Sequence, residues 1–329
     1  YHLPVDIRFG FGVRSRVADF ARAQAGRGFL LIDPGVARSR VGGAFVAQFG
    51  GLFAGTWSDI EPNPSLACVA RAADEIIRSG AGFVVAAGGG STLDAAKAAA
   101  LVAASGVPVE AYHRGGADAT AAALPVAAMP TTAGTGSEVT PVAVLSDPVR
   151  QVKAPIAGPR LLPKIALVDP EWTLDLPPAV TAAAGMDALS HALEAYWSRG
   201  AQPICDALAE RAAELILGSI ETAYRHGGDR PAREKMSLGS LLAGLAFGQP
   251  KTAAVHACSF PLTNRFGLSH GAACALTLDE FLLYNAEVLG EKLTRLARRL
   301  GLADVPALAG EIRRLKREMN LPSSLAAAG

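Results

Sequence analysis

The sequence carries no excess of either charge: 31 lysines and arginines stand against 30 aspartates and glutamates in 329 residues. That balance supplies no broad field for a nucleic acid or another polyanion, so recognition of an anion has to be local. Cysteine is scarce. The four, Cys68, Cys205, Cys258 and Cys274, form no C-x-x-C pair, which argues against a disulfide framework or a thiolate zinc site and points to a reducing cytoplasm. No apolar stretch reaches the roughly 18–20 uncharged residues of a membrane span, because Lys, Asp or Gly interrupts each alanine-rich run. No secretory leader, internal repeat or low-complexity tract is apparent. The chain opens at Tyr1 without a methionine and stops at Ala326-Ala-Ala-Gly329. A trimmed chain is therefore expected, with segments missing after Tyr284 and at the C-terminus.

Half of the residues are hydrophobic, enough for one large or two medium domains. The first half alternates short apolar runs with glycine-rich turns and alanine-rich amphipathic stretches, the pattern of an α/β domain with a parallel sheet. Strands are expected at 28–32, ending on Asp33, at 82–87, ending on three glycines, and at 124–129, ending on Pro130-Thr131-Thr132. After about Pro178 helical periodicity takes over at 180–197, 204–223 and 234–246, and strand-like runs become scarce. The expected division is residues 1–178, a dinucleotide-binding α/β domain, and 179–329, an all-helical metal-binding domain.

Asp187 and His191, in Gly185-Met-Asp-Ala-Leu-Ser-His191, are four residues apart and share one helix face. With His256 and His270 downstream they make a nitrogen and oxygen set suited to Fe(II) or Zn(II). An Asp and a His at this spacing also arise by chance; it is the two further imidazoles that favour a metal. His2, His113 and His226 sit among polar or glycine-rich neighbours and read as surface residues.

Gly88-Gly89-Gly90-Ser91 follows a buried strand and opens a helix, a place where backbone N–H groups can meet a pyrophosphate, with Ser91 as N-cap and Asp94 as its capping-box partner. A tight turn explains the glycines equally well. The hydroxyl-rich loop from Pro130 to Thr140 offers donors to phosphate and ribose oxygens, or is an ordinary turn. Asp33 fits an acid on a ribose diol, which favours NAD(H) over NADP(H), or simply begins an Asp-Pro-Gly turn.

Together Phe9-Gly-Phe-Gly12, Glu61-Pro-Asn63-Pro64, Gly88 to Ser91, Pro130 to Thr140, Gly185 to His191 and His256 to His270 resemble the iron-containing, group III, alcohol dehydrogenases over most of the chain. That resemblance implies a dehydroquinate-synthase-like architecture, a cleft between two domains as active site, and a homodimer or higher homo-oligomer. It implies Asp187, His191, His256 and His270 as metal ligands. It further implies Gly89, Gly90, Ser91 and Asp94 at the pyrophosphate, Thr131, Thr132 and Thr135 beside the cofactor, Asp33 at the ribose, Asn63 on the cofactor side and Lys153 near the nicotinamide. Phe260 stands where many relatives carry a proton-relaying histidine, so a relay through that position is not expected.

The segment Lys251 to His270 resembles the branch that reduces phosphonoacetaldehyde to 2-hydroxyethylphosphonate. A dianion beside the aldehyde calls for cations, and Arg265, Lys251 and Lys153 are candidates; Arg265 reads equally well as a surface residue. The expected reaction is NAD(P)H-linked reduction of a small aldehyde. Dehydroquinate-synthase-like lyases and polyol or glycerol-phosphate dehydrogenases of the same architecture are the alternative.

Overall fold

The computed structural model describes residues 1–120 and 122–328. By its internal packing the chain divides into two compact units, one comprising His2–Thr131 and Ser137–Trp172, the other Tyr1, Thr132–Gly136 and Thr173–Gly329. Among the described residues no helix is long and apolar enough to cross a membrane.

The first unit is built on strands β1 (Asp6–Phe9), β2 (Gly28–Ile32), β3 (Phe53–Trp57), β4 (Phe83–Gly88), β5 (Val126–Pro130), β6 (Val142–Asp147), β7 (Val152–Ala157) and β8 (Ile165–Val168). Six of them form one parallel sheet in the order β1-β8-β5-β4-β2-β3, while β6 and β7 pair as an antiparallel ribbon. Side chains alternate across a strand. Phe29, Leu31, Val84, Ala86, Val126 and Ala128 therefore pack on one face, with helices Leu66–Ser79 and Gly90–Ser105. Leu30, Ile32, Val85, Ala87, Ala127 and Met129 pack on the other, with Val17, Phe45 and Trp172. Both faces are dry, as a parallel sheet requires.

The carboxyl ends of β2, β4 and β5 lie side by side, where open α/β sheets bind ligands. Asp33 N–H donates to Ala87 O at 2.9 Å and Thr131 N–H to Gly88 O at 3.0 Å, so the ladder carries the glycine and threonine turns and Asp33 to one edge. Beneath them Lys97 is buried, donating to the carbonyls of Ser137, Thr140 and Val142 and pairing with Asp94 at 3.2 Å.

Glu138 is also buried, and burial pushes its carboxyl up to about 7 against the opposing charge of Lys97. An acid raised in the folded state keeps a proton that the unfolded chain has already lost. Stability is thus fully present below about pH 4.5 and falls as pH rises towards 7. The difference between wild type and Glu138→Gln in chemical-denaturation free energy should change across that window by on the order of 3 kcal/mol at most; parallel pH profiles would refute the assignment.

The second unit is helical: Pro178–Trp197, Pro203–Leu217, Ile220–Arg225, Arg230–Phe247, Ala254–Phe266, His270–Arg299, Val305–Glu318 and Leu325–Ala328. Pro178–Trp197 is buried on every side from Gly185 to Trp197. Its neighbours reach it through alanines and glycines, and one dry core runs from Ala133 through Leu193 to Met319.

Two expectations, on 204–223 and on His113, are corrected here. The stretch expected at 204–223 is two helices, parted at Gly218 and Ser219. Residues 284–299 continue the 30-residue helix His270–Arg299 past a kink at Leu289, where φ is −109° and ψ 21°. His113 is half-buried rather than a surface residue, with Nε2 3.3 Å from Leu145 O, whereas His2 and His226 are exposed.

Candidate metal and dinucleotide sites

In the first unit, the helix Gly90–Ser105 starts with Gly89 at its N-cap, and no side chain caps it. The expected capping box of Ser91 and Asp94 does not form, because the helix begins ahead of Ser91. The Ser91 hydroxyl instead accepts from Asn63 N–H at 3.1 Å. Asp94 accepts from Ser137 Oγ at 2.5 Å through one oxygen and from Val144 N–H at 2.9 Å through the other, so it braces the hydroxyl-rich segment. What remains at the helix start is a set of uncapped N–H groups at the positive end of the dipole, which favours an anion. Gly88 has to be glycine: a Cβ there would lie 2.3 Å from Thr92 Oγ1.

Asn63 holds a left-handed φ of 54° and accepts from Lys153 Nζ at 2.8 Å. Asn63, Ser91 and Lys153, distant in sequence, are thereby joined. Asp33 Oδ1 accepts from Gly35 and Val36 N–H at 2.8 and 3.0 Å, so this oxygen caps the short helix Pro34–Arg38. The Asp-Pro-Gly turn is real, and Oδ1 serves it. Thr131 is buried, while Thr132 and Thr135 are half-buried within the second unit.

In the second unit, Asp187, His191, His256 and His270 converge. His256 Nε2 and His270 Nε2 stand 3.4 and 3.6 Å from Asp187 Oδ1, and His191 Nδ1 stands 3.9 Å from it. The His191 ring stacks on Phe247 at 4.2 Å and lies 4.3 Å from that of His256. Asp187, His191 and His256 are buried, and His270 is partly exposed.

Hydrogen bonding occupies one nitrogen of each imidazole. His191 Nδ1 faces Gly134 O at 3.2 Å, His256 Nδ1 meets Glu194 Oε2 in a short contact, and His270 Nδ1 faces Ser259 Oγ at 3.3 Å. Ser259 spends its own proton on His256 O at 2.8 Å, so His270 Nδ1–H has to donate. Each Nδ1 is engaged as a donor, and the Nε2 atoms of His256 and His270 face Asp187 Oδ1, whereas in His191 it is Nδ1 itself that lies 3.9 Å from that oxygen.

Two of the converging atoms, Asp187 Oδ1 and His256 Nε2, are buried without a hydrogen-bond partner. Such orphans are costly unless a cation joins them. Two donors at about 2.1 Å from one ion, set at the tetrahedral angle, stand roughly 3.4 Å apart, and the observed separations of 3.4 and 3.6 Å match. The residues present therefore fit a divalent metal. Burial alone would raise the Asp187 carboxyl, but the imidazoles of His191, His270 and His256 outweigh it and hold it well below the usual range. Burial pushes His191 down to about 4. The carboxylate is charged and that imidazole neutral, the forms that bind metal.

Glu194 stands behind the cluster and not within it, because it meets His256 through Nδ1. Its Oε1 accepts from Val255 N–H at 2.8 Å while Oε2 holds His256. Asp187, His191 and Glu194 fall at i, i+4 and i+7, and that spacing was the available signal. Gly134 had none, being 57 residues from His191. Glu194→Gln should weaken metal retention roughly 10- to 100-fold, read by competition with a chelator; unchanged retention would show that Glu194 merely fills space. Cys274 also lies in the group: donor atoms of Asp187, His256, His270 and Cys274 are all within 4.8 Å of one another, a set that does not include His191.

Arg265 and Lys251 are not gathered around these residues in the same way. Arg265 follows His256 by nine positions on the helix Ala254–Phe266, about half a turn round, and is exposed. Lys251 is exposed with φ 68°, and its Nζ donates to Gly248 O at 3.3 Å. Phe260 lies against His270, ring centroids 6.2 Å apart.

The family pattern "Iron-containing alcohol dehydrogenase" matches residues 4–170, and "Fe-containing alcohol dehydrogenase family, C-terminal" matches residues 181–329. The sulfoacetaldehyde reductase of Bifidobacterium kashiwanohense, solved in complex with NAD+, is 41% identical with a TM-score of 0.94, covering 99% of this chain and 87% of that one. The 1-propanol dehydrogenase of Salmonella typhimurium is 37% identical over 278 residues, 81% of this chain and 71% of that protein. Alcohol dehydrogenase 4 of Saccharomyces cerevisiae is 33% identical over 336 residues, 100% of this chain and 88% of that protein. The chain belongs to the iron-containing alcohol dehydrogenase family.

Proposed function

We propose that this chain is an NAD(H)-linked reductase of a short aldehyde bearing a strong anion on the adjacent carbon, a sulfonate or the phosphonate of phosphonoacetaldehyde. The observation that carries this reading is the 41% identity, over 99% of the chain, to a sulfoacetaldehyde reductase solved with NAD+. A sulfonate and a phosphonate present the same tetrahedral cluster of anionic oxygens, so the likeness supports the class. The helical unit is the metal-binding domain, with Asp187, His191, His256 and His270 holding the divalent ion, iron by family. The sheet unit is the dinucleotide-binding domain.

A divalent ion held there supplies Lewis-acid polarisation of the substrate carbonyl, and the nicotinamide supplies hydride. The protein's own groups do the positioning. Glu194, Gly134 and Ser259 lock the three imidazoles. N–H groups at Gly89, Gly90 and Ser91 receive the pyrophosphate, Asn63 and Lys153 brace one another beside them, and Thr131, Thr132 and Thr135 offer hydroxyls to the cofactor. Asp33 retains Oδ2 for a ribose diol. Asp94, with both oxygens occupied, is a brace and not a phosphate contact. Phe260 carries no transferable proton, so the alcohol product takes its proton from water or a ribose hydroxyl.

For the anion we assign Lys251 ahead of Arg265, since Lys251 precedes the helix that carries His256 while Arg265 faces away from that residue. A charge-assisted contact is worth about 1.5–3 kcal/mol, roughly 10- to 100-fold in kcat/KM. Net NADH consumption should favour phosphonoacetaldehyde or sulfoacetaldehyde over propanal by at least that factor. Lys251→Gln should remove the preference by raising KM, and Arg265→Ala should leave it. Equal kcat/KM for charged and neutral aldehydes would overturn the substrate class.

A further inference from the structure

Cys274 follows His270 by four residues and so shares its face of the helix His270–Arg299. It is fully buried, and its Sγ lies 4.0 Å from His270 Nε2. The other thiols sit elsewhere or are only half-buried: Cys68 donates to Asp59 O at 3.7 Å, Cys205 accepts from Gln202 Nε2 at 3.2 Å, and Cys258 is half-buried. The two orphaned atoms, Asp187 Oδ1 and His256 Nε2, belong to the same cluster as Cys274 Sγ, with every donor atom within 4.8 Å of the others.

We propose that Cys274 is an additional, soft donor to the metal ion of this site, giving the ion one sulfur ligand beside its carboxylate and imidazoles. The inference rests on the metal-site reading given above. At bond lengths of about 2.3 Å to sulfur and 2.0 Å to nitrogen, donors at the tetrahedral angle stand roughly 3.5 Å apart, so the observed 4.0 Å closes with a shift of a few tenths of an ångström. Coordination breaks the S–H bond: the electron pair stays on sulfur and forms the bond to the metal, and the proton passes to solvent buffer. A thiolate raises affinity for Zn(II) and Co(II) relative to Mn(II), which prefers oxygen and nitrogen. The chain should therefore tolerate, and retain, zinc better than a site built only from Asp and His.

The test is Co(II) substitution of the whole protein. Wild type should show a near-ultraviolet thiolate-to-cobalt charge-transfer band beside the visible ligand-field bands. Cys274→Ser and Cys274→Ala should both lose that band while still binding cobalt, and Cys258→Ser should keep it. Zn(II) affinity should fall roughly 10- to 100-fold in the Cys274 variants, with Mn(II) affinity within about twofold. Cobalt bound without the band, with binding abolished in Asp187→Ala, overturns the role of Cys274 and leaves the metal site standing. A band that persists in both Cys274 variants does the same. Cobalt binding that survives Asp187→Ala overturns the metal-site reading and the proposal with it.

Discussion

Asp187→Asn and Asp187→Ala should leave the protein without bound metal and lower aldehyde turnover by about three orders of magnitude. The magnitude follows from the chemistry: an ion held here would supply several kcal/mol of carbonyl polarisation, and 4 kcal/mol is roughly a thousandfold in rate. Asp187 is 3% exposed and its Oδ1 faces His256 at 3.4 Å and His270 at 3.6 Å. Removing it takes away the carboxylate on which these imidazoles converge and leaves imidazole nitrogens alone, which hold a divalent ion poorly. Asp187→Asn keeps the volume, so a loss in that variant is not a packing effect. Elemental analysis of metal per chain, with NADH oxidation on the same samples, checks the result; wild-type metal content in Asp187→Asn would contradict it.

The second large effect is expected where no ligand is changed. Gly271 lets the start of the helix His270–Arg299 press against Ala183 of the helix Pro178–Trp197, and a Cβ there would lie 1.9 Å from Ala183 O. The obstacle is backbone, so no rotamer relieves it and one helix has to move. Gly271→Ala should cost about 3 kcal/mol in folding free energy. Because His270 is the adjacent residue, metal affinity should fall as well. Gly290, in the same helix, meets nothing within 4 Å, and Gly290→Ala should be neutral or stabilising by up to about 1 kcal/mol. Denaturation midpoints and metal content, measured together, separate the two substitutions. Equal stability of the two variants would show that the helix start has slack.

Much of this architecture is legible before any coordinates. Continuous apolar runs ending on Asp33, three glycines and Pro-Thr-Thr mark buried parallel strands, and the sheet sets those endings side by side. Asp187 and His191 are legible because a helix turns four residues into one face, and His256 and His270 lie beside them. Where sequence reasoning went astray, tertiary context decided. Ser91 has the composition of a cap, but the helix starts ahead of it and its hydroxyl serves Asn63. Arg265, readable equally as a surface residue, is exposed half a turn round its helix from His256. The groups that orient the imidazoles divide in the same way: Glu194 was within reach of helical spacing, while Gly134 comes from a remote loop whose backbone alone is used.

The measurement that bears most directly on the account is an anaerobic Fe(II) titration of chelator-stripped protein, followed by NADH oxidation with phosphonoacetaldehyde and sulfoacetaldehyde. Activity should be absent at the start, rise with bound Fe(II) and saturate near about one ion per chain, with the charged aldehydes consumed in preference to propanal. Reduction of these aldehydes at the full rate by the stripped protein, or activity that ignores added iron, would contradict it.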